Sequence, residues 1–363
     1  MPPLALEEML RPELSEVQAY RPVVGDFRVR LDANEAPPLL GPGARQRLAE
    51  VSADTRWERY PDAASHALRA AIAAKCRVSS DEVLVGVGSD ELITLLLTAL
   101  SVPRDKTRAA TLITTTPTFV MYRMSARIRG LQVLEVPLDE EWDVSVPSLL
   151  RAIELSTPNL IFIASPNNPT GNLASRDRVE RVIQAAAGAL VVIDEAYVDY
   201  SDSDQLDLYR KYDNVAVLRT LSKIGFAALR VGWLLGRPEL VRELDKARLP
   251  YNLNSLSQRL GTVVLSELSA DVDATLSAVR KERERLASAL IGMNAISVTP
   301  SQANFIWFRT QRAASEVFEG LMQRQVLVRS FHGRGGRLKN QLRVTVGTAS
   351  ENEEFLQALR EVV

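Results

Sequence analysis

The chain has 363 residues, 46% hydrophobic and 25% charged, with 44 basic against 45 acidic side chains and a formal net charge of −1. That length allows roughly two domains of about 150 residues, and the mixture is an ordinary globular one, which excludes disordered, collagen-like and disulfide-scaffold classes. A balanced charge provides no field to draw the protein onto nucleic acid or an anionic membrane, so any anionic ligand must be held by local arginines.

In chain order, the segment before about residue 40 is rich in proline and weakly periodic, and is expected to be an arm packing on the C-terminal domain or on a partner subunit. It holds no apolar run of signal-peptide length, and no later stretch reaches eighteen apolar residues, so neither export nor membrane insertion is expected. Short apolar runs at 83–87, 109–114, 131–136, 160–164, 190–193, 215–219 and 231–235 predict strands. Helical periods fall between them at 91–100, 178–187 and 238–248, the last with Pro238 in its first turn. This alternation predicts an α/β domain built on one seven-stranded, mostly parallel sheet flanked by helices.

After Tyr251 the texture changes: a charged helical stretch at 272–291, FIWF at 305–308, a helix near 313–324, VLVRS, LRVTVG and a closing helix from Glu351. These predict a smaller α+β domain, and the expected division is an arm over 1–40, a large domain over 41–255 and a small domain over 256–363. The single cysteine, Cys76, has no partner for a disulfide or a zinc site, and a reducing, cytoplasmic setting is expected. With only His66 and His332, neither in a recognisable motif, a Ser-His-Asp hydrolase or a metal centre is not expected. Both read as solvated or core-edge imidazoles.

In a parallel sheet, ligands sit beyond the carboxyl ends of the strands. The residues following the apolar runs are GSDE (88–91), TPTF (116–119), SPNNPTG (165–171), DEAY (194–197) and TLSK (220–223). GSDE opens a helix whose free N–H groups suit an anion, though for this motif alone simple helix capping is the better reading. SPNNPTG leaves Asn168 as an amide donor, or is simply a turn. Asp194 ends an apolar strand, and a buried carboxylate needs a cation or strong donor: a protonated pyridine nitrogen, or a neighbouring arginine. Lys223, in a cleft among Thr220, Ser222 and Arg230, can act as an amine nucleophile toward an aldehyde beside a phosphate site. On its own it would be a solvated surface lysine.

Taken with LDANEAP, RYPD, PTFVMY and LRVTVGT, this ordered set resembles the fold type I pyridoxal-phosphate aminotransferases from about Tyr20 to Gly347, and within them the histidinol-phosphate aminotransferases. The resemblance implies pyridoxal 5′-phosphate as cofactor, Lys223 as the Schiff-base lysine and proton carrier, Asp194 on the pyridine nitrogen, and Asn168 and Tyr197 on the ring's phenolic oxygen. It implies Phe119 stacked on the ring and Ser89, Asp90, Thr220, Ser222 and Arg230 around the phosphate, with Tyr60 supplied by the second subunit of a homodimer. Tyr20, Asn34, Arg329 and Arg343 would meet the substrates, expected to be histidinol phosphate and glutamate or 2-oxoglutarate. A surface-paired strand cation is the alternative for Arg343, and an arginine within the otherwise apolar LRVTVG favours a buried anion over it.

The pattern departs from the family at three places. Arg230 stands seven positions after Lys223 where many relatives have one more, Phe119 replaces a common tyrosine, and Asp32 and Ala36 stand where asparagines are commoner. Aromatic amino-acid transamination, decarboxylation of a phosphorylated amino acid and a non-catalytic cofactor-binding module remain open alternatives. The last would ordinarily carry a DNA-binding domain or a basic stripe, and neither is present in the sequence.

Overall fold

A computed structural model describes residues 6–17, 19 and 23–363. The strands in chain order are β1 (Val29–Arg30), β2 (Val83–Val87), β3 (Thr111–Thr116), β4 (Gln132–Pro137), β5 (Leu160–Ala164), β6 (Leu190–Asp194), β7 (Val215–Thr220) and β8 (Val231–Leu235). The C-terminal part adds β9 (Ile296–Thr299), β10 (Phe305–Thr310), β11 (Val326–Leu327), β12 (Arg329–Ser330) and β13 (Gln341–Thr345).

Strands β2 to β8 form one sheet of seven in the order β2-β8-β7-β6-β5-β3-β4. Alternate residues of the buried strands enter two different cores, as a period of two requires. Ile161, Ile163, Val191 and Ile193 point into one, while Leu160, Phe162 and Val192 point into the other. Helices cover both faces, which is why these strands are apolar on both sides.

Only β8 runs against its neighbours, pairing antiparallel with β2 and with β7. The other strands share one direction. One edge of the sheet therefore gathers the carboxyl ends of β2, β3, β5, β6 and β7 with the amino end of β8. Gly88, Thr118, Asn168, Tyr197 and Lys223 follow the first five strands and Arg230 precedes the sixth, so the reversed strand delivers a cation to the edge where the others deliver loops.

The C-terminal part folds over an antiparallel sheet in the order β12-β13-β10-β9. Its core of Ile306, Phe308, Leu342, Val344, Phe355 and Leu359 is backed by the helices Ser269–Ile291 and Ala349–Arg360. Strand β1 pairs in parallel with β11, Val29 opposite Val326, and so carries the LDAN segment that follows it up to the edge of the large sheet. The helix Ser255–Ser266 buries Leu260, Val263 and Val264 and packs against the helices His66–Cys76 and Pro42–Ala53.

Candidate active site

The ends just described enclose a cavity of about 460 Å³, lined among others by Ser89, Asp90, Phe119, Asn168, Asp194, Tyr197, Thr220, Ser222, Lys223 and Arg230. From the opposite side, Asn34, Arg329 and Arg343 line the same space. Lys223 and Asp194, taken from the ends of adjacent strands, thus face one volume able to hold a ring. One expected residue among those described is not in its lining. Tyr60 is 80% exposed on the outer surface, stacked on Tyr251 at 4.6 Å between ring centroids. Tyr20 lies outside the described residues.

Asp194 ends β6 at 5% exposure. Its Oδ2 accepts a hydrogen bond from the Tyr122 hydroxyl at 2.5 Å and its Oδ1 accepts from the Ala196 N–H at 3.0 Å. Burial pushes the Asp194 carboxyl above the usual carboxylate range, with the Tyr122 hydrogen bond pulling the other way. Burial and the adjacent carboxylate hold the Tyr122 phenol well above its ordinary range, so it remains a donor. The plainer reading, a structural aspartate paired with an arginine, fails at this position. The arginine on the next strand, Arg219, turns instead to Glu195, donating from Nε at 2.8 Å and approaching it with Nη2 at 2.7 Å. Asp194 is left as a buried carboxylate without a Lys or Arg nitrogen within 4.0 Å among the described residues. A lone buried charge costs several kcal/mol, and a protonated ring N–H in the cavity would supply the missing partner.

The end of the cavity at Ser89 and Arg230 is built by close backbone approach. Gly88 adopts φ +70° at the start of the helix Gly88–Ala99, and its N–H donates to the Arg230 carbonyl at 2.7 Å. A Cβ on Gly232 would lie 2.5 Å from both Gly88 C and Ser89 N, so the helix start can rest on β8 only because residue 232 has no side chain. Arg230, itself left-handed at φ +53°, pairs with Asp90 at 3.1 Å. The Thr220 hydroxyl accepts from the Ser222 N–H at 3.1 Å and donates to the Val231 carbonyl at 2.9 Å. Between Lys223 and Arg230 the chain makes one wide turn through Gly225 at φ +104°, then a short 3₁₀ turn. The one-residue-shorter loop still brings Arg230 to the cavity.

At the far side of the ring space the Tyr197 hydroxyl accepts from Asn34 Nδ2 at 2.9 Å and from Asn168 Nδ2 at 3.3 Å, leaving its own proton to donate into the cavity. Asn34 is only 1% exposed and is also held by Thr345, its backbone N–H donating to Oγ1 at 3.0 Å. Arg343 donates to Asn168 Oδ1 and to the Asp32 carbonyl, each at 2.6 Å, with its guanidinium 5.3 Å from the Phe305 ring centre. In the register of β12 and β13, Arg329 stands directly opposite Arg343. Phe119 closes one wall, edge-on to Tyr122 at 5.5 Å.

No role for Tyr122 follows from the sequence: it lies in the first turn of the helix Val120–Ile128, three residues after the N-cap Phe119, far along the chain from Asp194. Phe331 and Arg334 also line the cavity and were not foreseen, because the loop between β12 and β13 carries no periodicity.

The fold and these donors define a fold type I aminotransferase that uses pyridoxal 5′-phosphate. The sequence model of aminotransferase class I and II matches residues 28–359. A histidinol-phosphate aminotransferase of Nitrosococcus oceani is 40% identical over 359 residues, 97% of each chain. Another, from Chromobacterium violaceum, is 37% identical over 358 residues, 98% of each chain. The histidinol-phosphate aminotransferase of Sinorhizobium meliloti, solved in complex with pyridoxal-5′-phosphate, superimposes with a TM-score of 0.85 over 100% of this chain and 98% of that one, a likeness of fold at 22% identity. The chain belongs to the class I and II aminotransferases, and within them to the histidinol-phosphate aminotransferase family.

Proposed function

We propose that the chain moves an amino group between glutamate and a phosphorylated imidazole ketone, imidazole-acetol phosphate, interconverting them with 2-oxoglutarate and histidinol phosphate in histidine biosynthesis. The observation that carries this is the pairing of Arg329 with Arg343 across β12 and β13, both guanidinium groups lining the cavity that Lys223 and Asp194 also line. One such cavity suits both substrates, since carboxylate and phosphate are met by the same fork of donors.

Pyridoxal 5′-phosphate, when bound, supplies an aldehyde that exchanges amines and a ring that withdraws electrons. In this reading Lys223 would hold that aldehyde, and its amine would serve as the base that takes the proton from the substrate Cα and the acid that returns one. Asp194 keeps the ring nitrogen protonated, and Tyr122 keeps Asp194 charged. Tyr197, oriented by Asn34 and Asn168, donates to the ring oxygen. Ser89, Thr220, Ser222 and Arg230 hold the phosphate with the helix N–H groups, while Asp90 fixes the Arg230 guanidinium.

We infer further that the working unit is a homodimer, Tyr60 reaching the partner's phosphate site. Tyr60 does not line this chain's own cavity, and Trp57 and Leu249, from the same two surface stretches, are 73% and 72% exposed. A division into an arm over 1–40, a cofactor-binding domain over 41–255 and a small domain over 256–363, in a cytoplasmic setting, is proposed with it. The substrate test compares amino donors with 2-oxoglutarate as acceptor. Histidinol phosphate is expected to exceed phenylalanine in kcat/KM, and a preference for phenylalanine overturns the assignment.

A further inference from the structure

The loop between β12 and β13 places a further arginine at the cavity beside Arg329 and Arg343, and resting on the substrate reading above we propose that Arg334 is a specificity-determining residue that recognises the second negative charge of a phosphate monoester.

The loop is fixed from behind. Arg337 donates to the carbonyls of Leu138 at 2.8 Å and Asp139 at 2.7 Å on the large sheet's side, and its guanidinium lies 4.0 Å from the Trp142 ring centre. Trp142 packs edge-on to Trp307 at 6.2 Å, and Trp307 edge-on to Phe331 at 4.8 Å. Gly335 and Gly336, at φ +67° and +53°, turn the chain between the anchor and Arg334. The Arg334 guanidinium then rests 5.4 Å from the Phe331 ring centre and lines the cavity beside Arg329.

What singles Arg334 out is its company. Burial, with Arg329 and Arg123 close by, lowers its affinity for its proton, so it stands in a positive field. The nearby acid, Glu135, is tied to Arg123 at 3.2 Å. No carboxylate oxygen comes within 4.0 Å of Arg329 or Arg334 among the described residues. Like charges held together at the edge of a cavity without counter-charge mark a seat for an anion. Two uncompensated guanidinium groups match a phosphate dianion, whereas the distal carboxylate of glutamate carries one charge and needs only one of them. Arg329 serves both substrates, and Arg334 adds affinity for the phosphorylated one alone.

The test uses the holoenzyme with Arg334→Gln and Arg334→Lys, measuring turnover of histidinol phosphate, unphosphorylated histidinol and glutamate. In Arg334→Gln, kcat/KM for histidinol phosphate is expected to fall roughly ten- to a hundredfold, the worth of a charge-assisted hydrogen bond, chiefly through KM. Histidinol and glutamate are expected to stay within about twofold of the parent, and Arg334→Lys to recover part of the loss. An equal loss on all three substrates, or no loss on histidinol phosphate, overturns the proposal. Should the unaltered enzyme not turn over histidinol phosphate at all, the substrate reading has failed and the anion seat is judged separately. Inorganic phosphate is then used as a competitive inhibitor of the glutamate reaction: inhibition weakened about tenfold in Arg334→Gln upholds the seat, and unchanged inhibition overturns it.

Discussion

Asp194 and Glu195 are adjacent, equally acidic and both buried, yet their surroundings give them opposite tasks. Glu195 is neutralised by Arg219, which also reaches Asp204 at 2.9 Å, so it is spent on holding the ends of β6 and β7 together. Among the described residues Asp194 receives only a phenol and a backbone N–H and keeps a lone pair for the cavity. Tyr122→Phe removes the donor that opposes burial, so the Asp194 carboxyl rises further. Since the carboxylate is the working form, the acid limb of the kcat profile is expected to move to higher pH. Cofactor affinity is expected to fall roughly tenfold, about one hydrogen bond to a charged group. An unmoved acid limb with unchanged affinity would deny Tyr122 this role. The apolar run before Asp194 made its burial legible in the sequence. Its partner was not legible, because no local rule connects a tyrosine on the helix Val120–Ile128 to the end of β6, 72 residues along the chain.

At the level of elements, the strands of the large sheet were the readable part, since both their faces are covered and apolar runs follow directly. Helices were harder wherever their buried stripe is thin. Pro42–Ala53 buries only Ala44 and Val51, and nothing in its polar sequence announces a helix. The helix Gly88–Ala99 begins three residues before the expected Glu91, because its first turn is made of Gly-Ser-Asp, which carries no apolar period to announce it. The reversal of β8 also escaped the sequence, which carries no sign of strand direction. Its consequence is testable at Gly232. Gly232→Ala puts a methyl against the backbone of Gly88 and Ser89 and is expected to cost about 1–3 kcal/mol, the scale of overpacking. Cofactor retention on dialysis is expected to drop with it. Gly43→Ala, with nothing within 4 Å of the added carbon, serves as the control and is expected to leave both unchanged. Equal behaviour of the two variants would mean that the phosphate turn tolerates displacement.

Across the whole molecule, one cavity is assembled from distant parts of the chain: LDAN from the N-terminal region, the strand ends of the large sheet, and β12 with β13 from the C-terminal sheet. Asn34 and Arg343 join them through Tyr197 and Asn168. That assembly was legible only as an ordered set of motifs, because each motif alone is ordinary turn or capping chemistry. If a partner subunit supplies Tyr60, the variants Lys223→Ala and Tyr60→Ala are each expected to be impaired as purified. Unfolded together and refolded, they are expected to form mixed dimers with one intact site and to regain activity; no recovery would place Tyr60 outside the neighbour's site. The most direct measurement is the visible absorption of apoenzyme reconstituted with pyridoxal 5′-phosphate. The parent protein is expected to show a band distinct from free cofactor that shifts when glutamate is added. Lys223→Ala is expected to show neither, with glutamate turnover reduced at least about a hundredfold. A Lys223→Ala protein that keeps the band, the shift and the turnover would contradict the assignment of Lys223 as the amine that holds the cofactor.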